Sequence, residues 1–185
     1  MYWTIPGTVL QKPRQEAEHI EELFSAMFLA GGMMLGQVSE LTGLEPYTVQ
    51  NWVKRGFLPP PERKRYNLEQ LCRILNINTL KNVLPMEQIC GLMGYVNGQL
   101  DDEGDDIIDD TKLYFMFVRL AARAKELYRE EEREVLLEQE LSDYREPVPG
   151  AKERVKLALR IMLTAWLAAR MRQEAEKMLK NCKNQ

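Results

Sequence analysis

Between Leu35 and Pro60 the chain carries two short amphipathic helical signals set back to back, and little besides a tight helix pair satisfies both. The first buries Leu35, Val38 and Leu41 at helical spacing and stops at Gly43. After the turn Leu44-Glu45, Pro46 suits the first turn of a second helix, where its missing N–H costs nothing. Val49, Trp52 and Val53 then fall on one side as core. At about 100° per residue the opposite side is Tyr47, Asn51 and Lys54, flanked by Thr48, Gln50 and Arg55. Asn and Gln side chains pair bidentately with adenine in a major groove, and Lys and Arg take guanine or phosphate. A short polar helix that merely faces water has the same composition.

The next residues favour the first of these readings. Phe57-Leu-Pro-Pro-Pro-Glu-Arg-Lys-Arg-Tyr66 is a stiff proline run ending in three consecutive cations, Arg63, Lys64 and Arg65, before Asn67 opens another helix. A basic loop directly after the second helix reads as a wing, whose natural use is phosphate contact that fixes register without reading bases. Net charge is only −3, with a pI near 5.4, but the distribution is uneven. Pro46 to Tyr66 holds Lys54, Arg55, Arg63, Lys64 and Arg65 against the single acid Glu62, whereas Asp101 to Asp110 holds seven acids and no base. One basic surface inside an acidic protein is the expectation.

Elsewhere the chain reads as helix. Pro13 to Leu29 places Ile20, Leu23, Phe24, Met27 and Phe28 on an amphipathic stripe ended by Gly31-Gly32. Residues 99–111 are expected to be an exposed acidic linker. Beyond it, Leu113, Phe117, Leu120, Ala124 and Leu127 share a stripe, and Arg129 to Glu134 reads as solvated charge. Pro147-Val-Pro-Gly breaks the chain before a last helix over about 151–179, with Val155, Leu159, Met162, Trp166 and Ala169 along one side. The stripe from Leu113 and the apolar run Leu157 to Ala169 carry more hydrophobic surface than a helix hairpin hides. An intermolecular bundle, or packing against the Ile20 to Phe28 helix, would cover the remainder, and the first of these, a homodimer through residues 112–185, is the expectation.

Catalytic and metal chemistry find no footing. There is no Gly-rich phosphate loop, no histidine beside a nucleophile and no Glu-x-x-His helix pair. Asp101-Asp-Glu-Gly-Asp-Asp lacks calcium-loop spacing. Cys72, Cys90 and Cys182 match neither a disulfide framework nor a zinc site and read as reduced thiols. His19 lies on a charged face. The start, Met1-Tyr-Trp-Thr-Ile-Pro-Gly, has no signal-peptide pattern, and Leu157 to Ala169 is broken by Arg160 and falls short of a membrane span. The expectation is a cytoplasmic, non-enzymatic protein without cofactor, metal or membrane partner.

The order Val-Ser-x-Leu-Thr-Gly, Tyr-Thr-Val, Lys-Arg-Gly-Phe-Leu-x-Pro, Arg-x-Arg-Tyr, Leu71, Ile74, Ile77, Leu80-Lys81 and Leu84-Pro-Met-Glu-Gln-Ile89 resembles the DNA-binding domain of MerR-type regulators over about residues 34–93. That resemblance implies a helix-turn-helix, a two-stranded wing and a second helix pair, at about Leu68 to Val83 and Pro85 to Leu92, closing the core. Two features depart from it. Gln50-Asn51 stand where Arg-Tyr is usual, and the segment Gly56 to Tyr66 leaves little room for the usual Asn-Gly wing tip. The whole chain also resembles a bacterial family catalogued as domain of unknown function 1836, which implies no mechanism.

The reading is thus a mainly α protein in four parts: an N-terminal arm and amphipathic helix (1–32), a MerR-like winged helix-turn-helix with a short β wing (33–98), the acidic linker (99–111), and a helical dimerisation or effector domain (112–185). Its expected function is sequence-specific duplex DNA binding in transcription regulation, through Tyr47, Thr48, Gln50, Asn51, Lys54, Arg55, Arg63, Lys64, Arg65 and Tyr66, with an unidentified small-molecule or protein effector. The rival expectation is an interaction module, in which the same winged helix docks a partner protein and not DNA.

Overall fold

The computed structural model describes residues 2–98, 106–124 and 129–182. The described chain is mainly helical, with a few short strands. It opens on an antiparallel hairpin, β1 (Tyr2–Thr4) and β2 (Gln11–Pro13), where the sequence suggested only an arm. The indole of Trp3 faces inward and meets Trp166 edge to face at 6.3 Å. A short 3-10 turn, Arg14–His19, leads into α1 (Ile20–Met27). Ala17, Ile20 and Phe24 form the buried side of this segment, with Leu23, Met27 and Phe28 partly covered, as the stripe predicts.

A two-residue strand, β3 (Met33–Met34), precedes α2 (Leu35–Thr42). Gly43 ends α2 with φ +70, the left-handed geometry a glycine takes at least cost. After Leu44-Glu45 the chain enters α3 (Pro46–Lys54) with Pro46 at the first helical position. Val38, Leu41, Val49 and Trp52 are buried, and Leu35 and Val53 partly so. Then comes β4 (Arg65–Tyr66), followed by α4 (Leu68–Leu80), whose start is fixed by a capping box between Asn67 and Gln70. Helix α5 (Met86–Asn97) completes the expected second helix pair.

Helix α4 is the centre of the molecule. Leu71, Cys72, Ile74, Leu75, Ile77 and Leu80 are sealed from solvent, so the helix is covered on nearly every side. Burial also pushes the Cys72 thiol pKa well up, which suits a small core residue rather than a reactive one. The principal cover is α6 (Asp110–Arg123), itself packed against α8 (Ala151–Cys182) and α1. Leu113, Phe117 and Leu120 lose all exposure, and Phe24 stacks edgewise on Tyr114 and Phe115 at 5.7 and 5.8 Å. The α6 stripe is therefore covered within the monomer, with α1, the alternative cover that the sequence offered, among the helices that bury it. One continuous apolar cluster runs from Trp3 to Trp166.

Part of the expected exposed linker is core. Residues 99–105 lie outside the described residues, but Ile107, Ile108 and Asp110 are buried. The Asn97 side-chain amide donates to the Ile108 carbonyl at 2.6 Å, and the Ile107 amide donates to the Val96 carbonyl at 3.0 Å. Two isoleucines outweigh the acids around them, because each buried apolar side chain contributes about 1.5–3 kcal/mol. Asp109 caps α6, its carboxylate accepting from the Lys112 amide at 2.8 Å. Leu127 of the expected stripe lies outside the described residues.

Helix α7 (Glu130–Glu140) lies along α8 through Glu134 and Glu138, which both meet the Lys156 ammonium. Glu134 is thereby half-buried, whereas the sequence suggested solvated charge from Arg129 to Glu134. After the turn through Pro147 and Pro149, α8 presents Val155, Leu159, Met162, Trp166 and Ala169 to the core, as expected. No helix among the described residues is long and apolar enough to cross a membrane.

Candidate nucleic-acid interface

The geometry starts at Gly32. A Cβ there would fall 2.6 Å from the Tyr66 carbonyl oxygen, so only glycine lets the chain run this close to β4. The close approach pairs Met33 with Tyr66 and Met34 with Arg65 in an antiparallel ladder. The β4 partner thus comes from ahead of α2, a strand that the sequence reading missed. Met33-Met34 carries no alternation long enough to announce itself.

The basic tip is a two-residue turn. The Arg65 amide donates to the Glu62 carbonyl at 2.8 Å, and both central residues, Arg63 (φ +45) and Lys64 (φ +65), are left-handed. Glycine or asparagine normally fills such a turn, because a Cβ costs about 1–2 kcal/mol per residue there. The backbone of an Asn-Gly tip therefore fits the short segment after all, occupied by two cations. All three of Arg63, Lys64 and Arg65 are exposed. Arg65 also donates to the Gly32 carbonyl at 2.7 Å, so its guanidinium is held in place.

Two side chains of α4 fix the root of this loop. The Gln70 amide donates to the Pro60 carbonyl at 2.8 Å, and Arg73 Nε donates to the Phe57 carbonyl at 3.0 Å. Arg73 is in turn bound to Asp110 at 2.9 Å, a pair buried on both sides. Asn76 also donates to Asp110, at 3.3 Å. Burial raises the Asp110 carboxyl pKa, against the pull of Arg73 and Asn76. Gln70 was legible only as part of a helix start. The role of Arg73 had no signal, since its partners lie far along the chain.

On α3 the outward residues are as expected. Tyr47, at 76% exposure, Gln50, Lys54 and Arg55 are exposed, and Thr48 and Asn51 are half-buried. Arg55 stacks over the Phe57 ring at 4.6 Å, which orders the guanidinium at the helix end. Tyr66, at 2% exposure, packs in the core and reaches the surface only as part of the lining of the groove between α3 and the turn. Its strand neighbour Arg65 takes the outward position, as alternation along a strand requires.

A groove of about 450 Å³ separates α3 from the turn, lined by Met34, Leu35, Gln50, Val53, Pro61 and Lys64. Gln50 of α3 and Lys64 of the turn both line it, so the outer face of α3 and the basic tip share one surface. Among the described residues no cluster of three or more His, Cys, Asp or Glu is placed to hold a metal ion. His19, 71% exposed, lies 3.6 Å from Glu22.

The uncharacterized protein YkrK of Bacillus subtilis (strain 168) is 32% identical over 84 residues, which take in 43% of this chain and 36% of that relative. The match thus spans about a third of the relative's length. No solved structure matches the chain. The profile of a domain of unknown function, DUF1836, matches residues 17–117, from the turn before α1 to the middle of α6, and with more than half its length matched the chain belongs to that family.

Proposed function

We propose that this protein is a sequence-specific duplex DNA-binding regulator of transcription, in which residues 33–98 act as a MerR-like winged helix-turn-helix. Helix α3 is the recognition helix, with Tyr47, Gln50, Asn51 and Lys54 toward base edges in the major groove. Arg55, Arg63, Lys64 and Arg65 take phosphates. The observation that carries this reading is the single surface lined by Gln50 and Lys64, where a polar helix face stands beside a tight cationic turn. A helix alone would only suggest readout. A helix face beside a turn of exposed cations matches a groove and the phosphates that flank it.

In the same proposal the protein acts as a homodimer through residues 112–185, because one such unit covers one half-site. The test is the salt dependence of binding to genomic duplex fragments. With about 4 phosphate contacts per subunit, the log–log slope for a dimer is expected to be roughly −7. Binding that ignores salt, or none at low salt, sinks the proposal. The apolar floor of the groove, Met34, Leu35, Val53 and Pro61, favours one rival: the same surface docks a protein segment and not DNA. Protein capture that survives high salt, without DNA binding at low salt, would select that rival.

A further inference from the structure

The outward face of α8 is apolar where an exposed helix face is ordinarily charged. Opposite the buried side lie Leu157, Ile161, Thr164, Ala168, Met171, Ala175, Met178 and Cys182, all exposed. Their spacing is strictly four, three, four, three to the end, an unbroken heptad seam about 38 Å long. Met171 and Met178 are 56% and 59% exposed. Every position from 170 to 182 is exposed, and beyond the hydrogen bond that Arg172 donates to the Asn82 carbonyl at 2.9 Å the helix is an arm reaching past its own core. A contiguous apolar strip of this length marks an interaction surface.

We infer that this seam pairs with the same seam of a second copy, antiparallel, to form the dimer. The inference deepens the homodimer proposed above and stands whether or not the protein binds DNA. The sequence pattern of α8 sets the direction. With the two helices antiparallel and the two-fold near residue 166, Ile161 meets Met171 of the second copy, Thr164 meets Ala168, and Leu157 meets Ala175. Large residues are matched by small or flexible ones, and the smallest lie at the crossing, as interdigitation requires. The same register sets Arg160 against Glu174 of the second copy, and this happens twice by symmetry.

A parallel pairing would instead put Arg160 beside Ala165 and Glu174 beside Leu179, leaving both charges without a counter-ion across the seam. It would also align the two helix dipoles unfavourably. Arg160 is 3.8 Å from Glu134 and its side chain is 40% exposed, so it keeps reach toward a neighbour. The paired stretch, Leu157 to Ala175 on each helix, is a strip about 27 Å by 12 Å, a modest area below the standard size of specific interfaces. The dimer should therefore exchange with monomer as concentration falls.

Sedimentation equilibrium of the full chain decides this. The wild type is expected to dimerise with concentration, and Ala168→Glu to be monomeric with unchanged circular dichroism and Tm, because Ala168 faces solvent in the monomer. Arg160→Glu and Glu174→Arg should each weaken dimerisation about tenfold or more, and the two together should restore it. Restoration can arise only between chains, since within one helix these residues stand about 21 Å apart. A wild type that stays monomeric, or an Ala168→Glu protein that stays dimeric, overturns the inference. Failure of the double exchange to restore what the single exchanges lose overturns the antiparallel register. Loss of DNA binding with the dimer intact touches only the functional proposal.

Discussion

At Arg63 and Lys64 two charged residues occupy backbone angles that suit asparagine and glycine. Strain of this kind persists where the surroundings impose it or a function selects it. Arg63→Asn with Lys64→Gly is expected to raise stability by roughly 1–2 kcal/mol, read as a higher denaturation midpoint. The same change should weaken DNA binding. The control, Arg63→Gln with Lys64→Gln, removes the charges and keeps the strain, so it should lose binding without gaining stability. Equal stability of both variants would mean that the turn is not strained. Readout separates from anchoring in the same way. Alanine at Arg63, Lys64 and Arg65 together should weaken binding to all sequences alike, whereas Asn51→Ala should cost roughly 1–3 kcal/mol at the preferred site and far less on random duplex. Titrating each protein against both DNAs checks this, and equal losses for Asn51→Ala would put the wrong face of α3 toward the bases. These residues were legible because composition and helical spacing are local properties. The near-complete burial of Tyr66 was not legible for the same reason: its place beside three cations is local, whereas its pairing with Met33 across the ladder is not.

Helices α4 and α6 are joined by the buried contact of Arg73 with Asp110, and Arg73 reaches on to the Phe57 carbonyl at the root of the basic loop. One side chain therefore serves both core and surface. Arg73→Ala leaves Asp110 buried without its counter-ion and is expected to cost about 3–5 kcal/mol by chemical denaturation. Arg73→Met with Asp110→Leu removes both charges and should recover most of that loss, since well-packed apolar residues substitute for a buried pair at little cost. DNA affinity should remain low in the double variant, because nothing then holds the Phe57 carbonyl. Full recovery of binding with stability would show that Arg73 does not position the loop. Most helix positions were legible from apolar periodicity, with ends marked by Gly43, Pro46 and the Asn67 capping box. Asp110 was not. In sequence it closes an acidic run that reads as solvated, and what buries it is an arginine on another helix, a relation that no local window contains.

For the whole molecule, the boundaries drawn from sequence divide segments that share one apolar cluster, because α6 lies on α4 and α1 lies on α6. Periodicity reports that a face is apolar but not which surface covers it. The stripe from Leu113 thus leaves open in sequence whether a partner or the Ile20 to Phe28 helix covers it, and in the fold the chain's own α1, α4 and α8 do. The heptad face of α8 remains open. DNA binding and dimerisation should consequently be linked through the packing of α4 on α6 and of α6 on α8. If two copies engage two half-sites, the second contact becomes intramolecular and gains a high effective concentration. Affinity for a two-half-site duplex should then exceed that for a single half-site by about 10²-fold or more. The advantage should vanish in Ala168→Glu while single-half-site affinity stays unchanged. Inserting half a helical turn, about 5 base pairs, between half-sites should also abolish it, because a rigid pair cannot follow the rotated site. Equal affinity for both spacings would show that the two units are not held in fixed relation, whatever their affinity for one half-site.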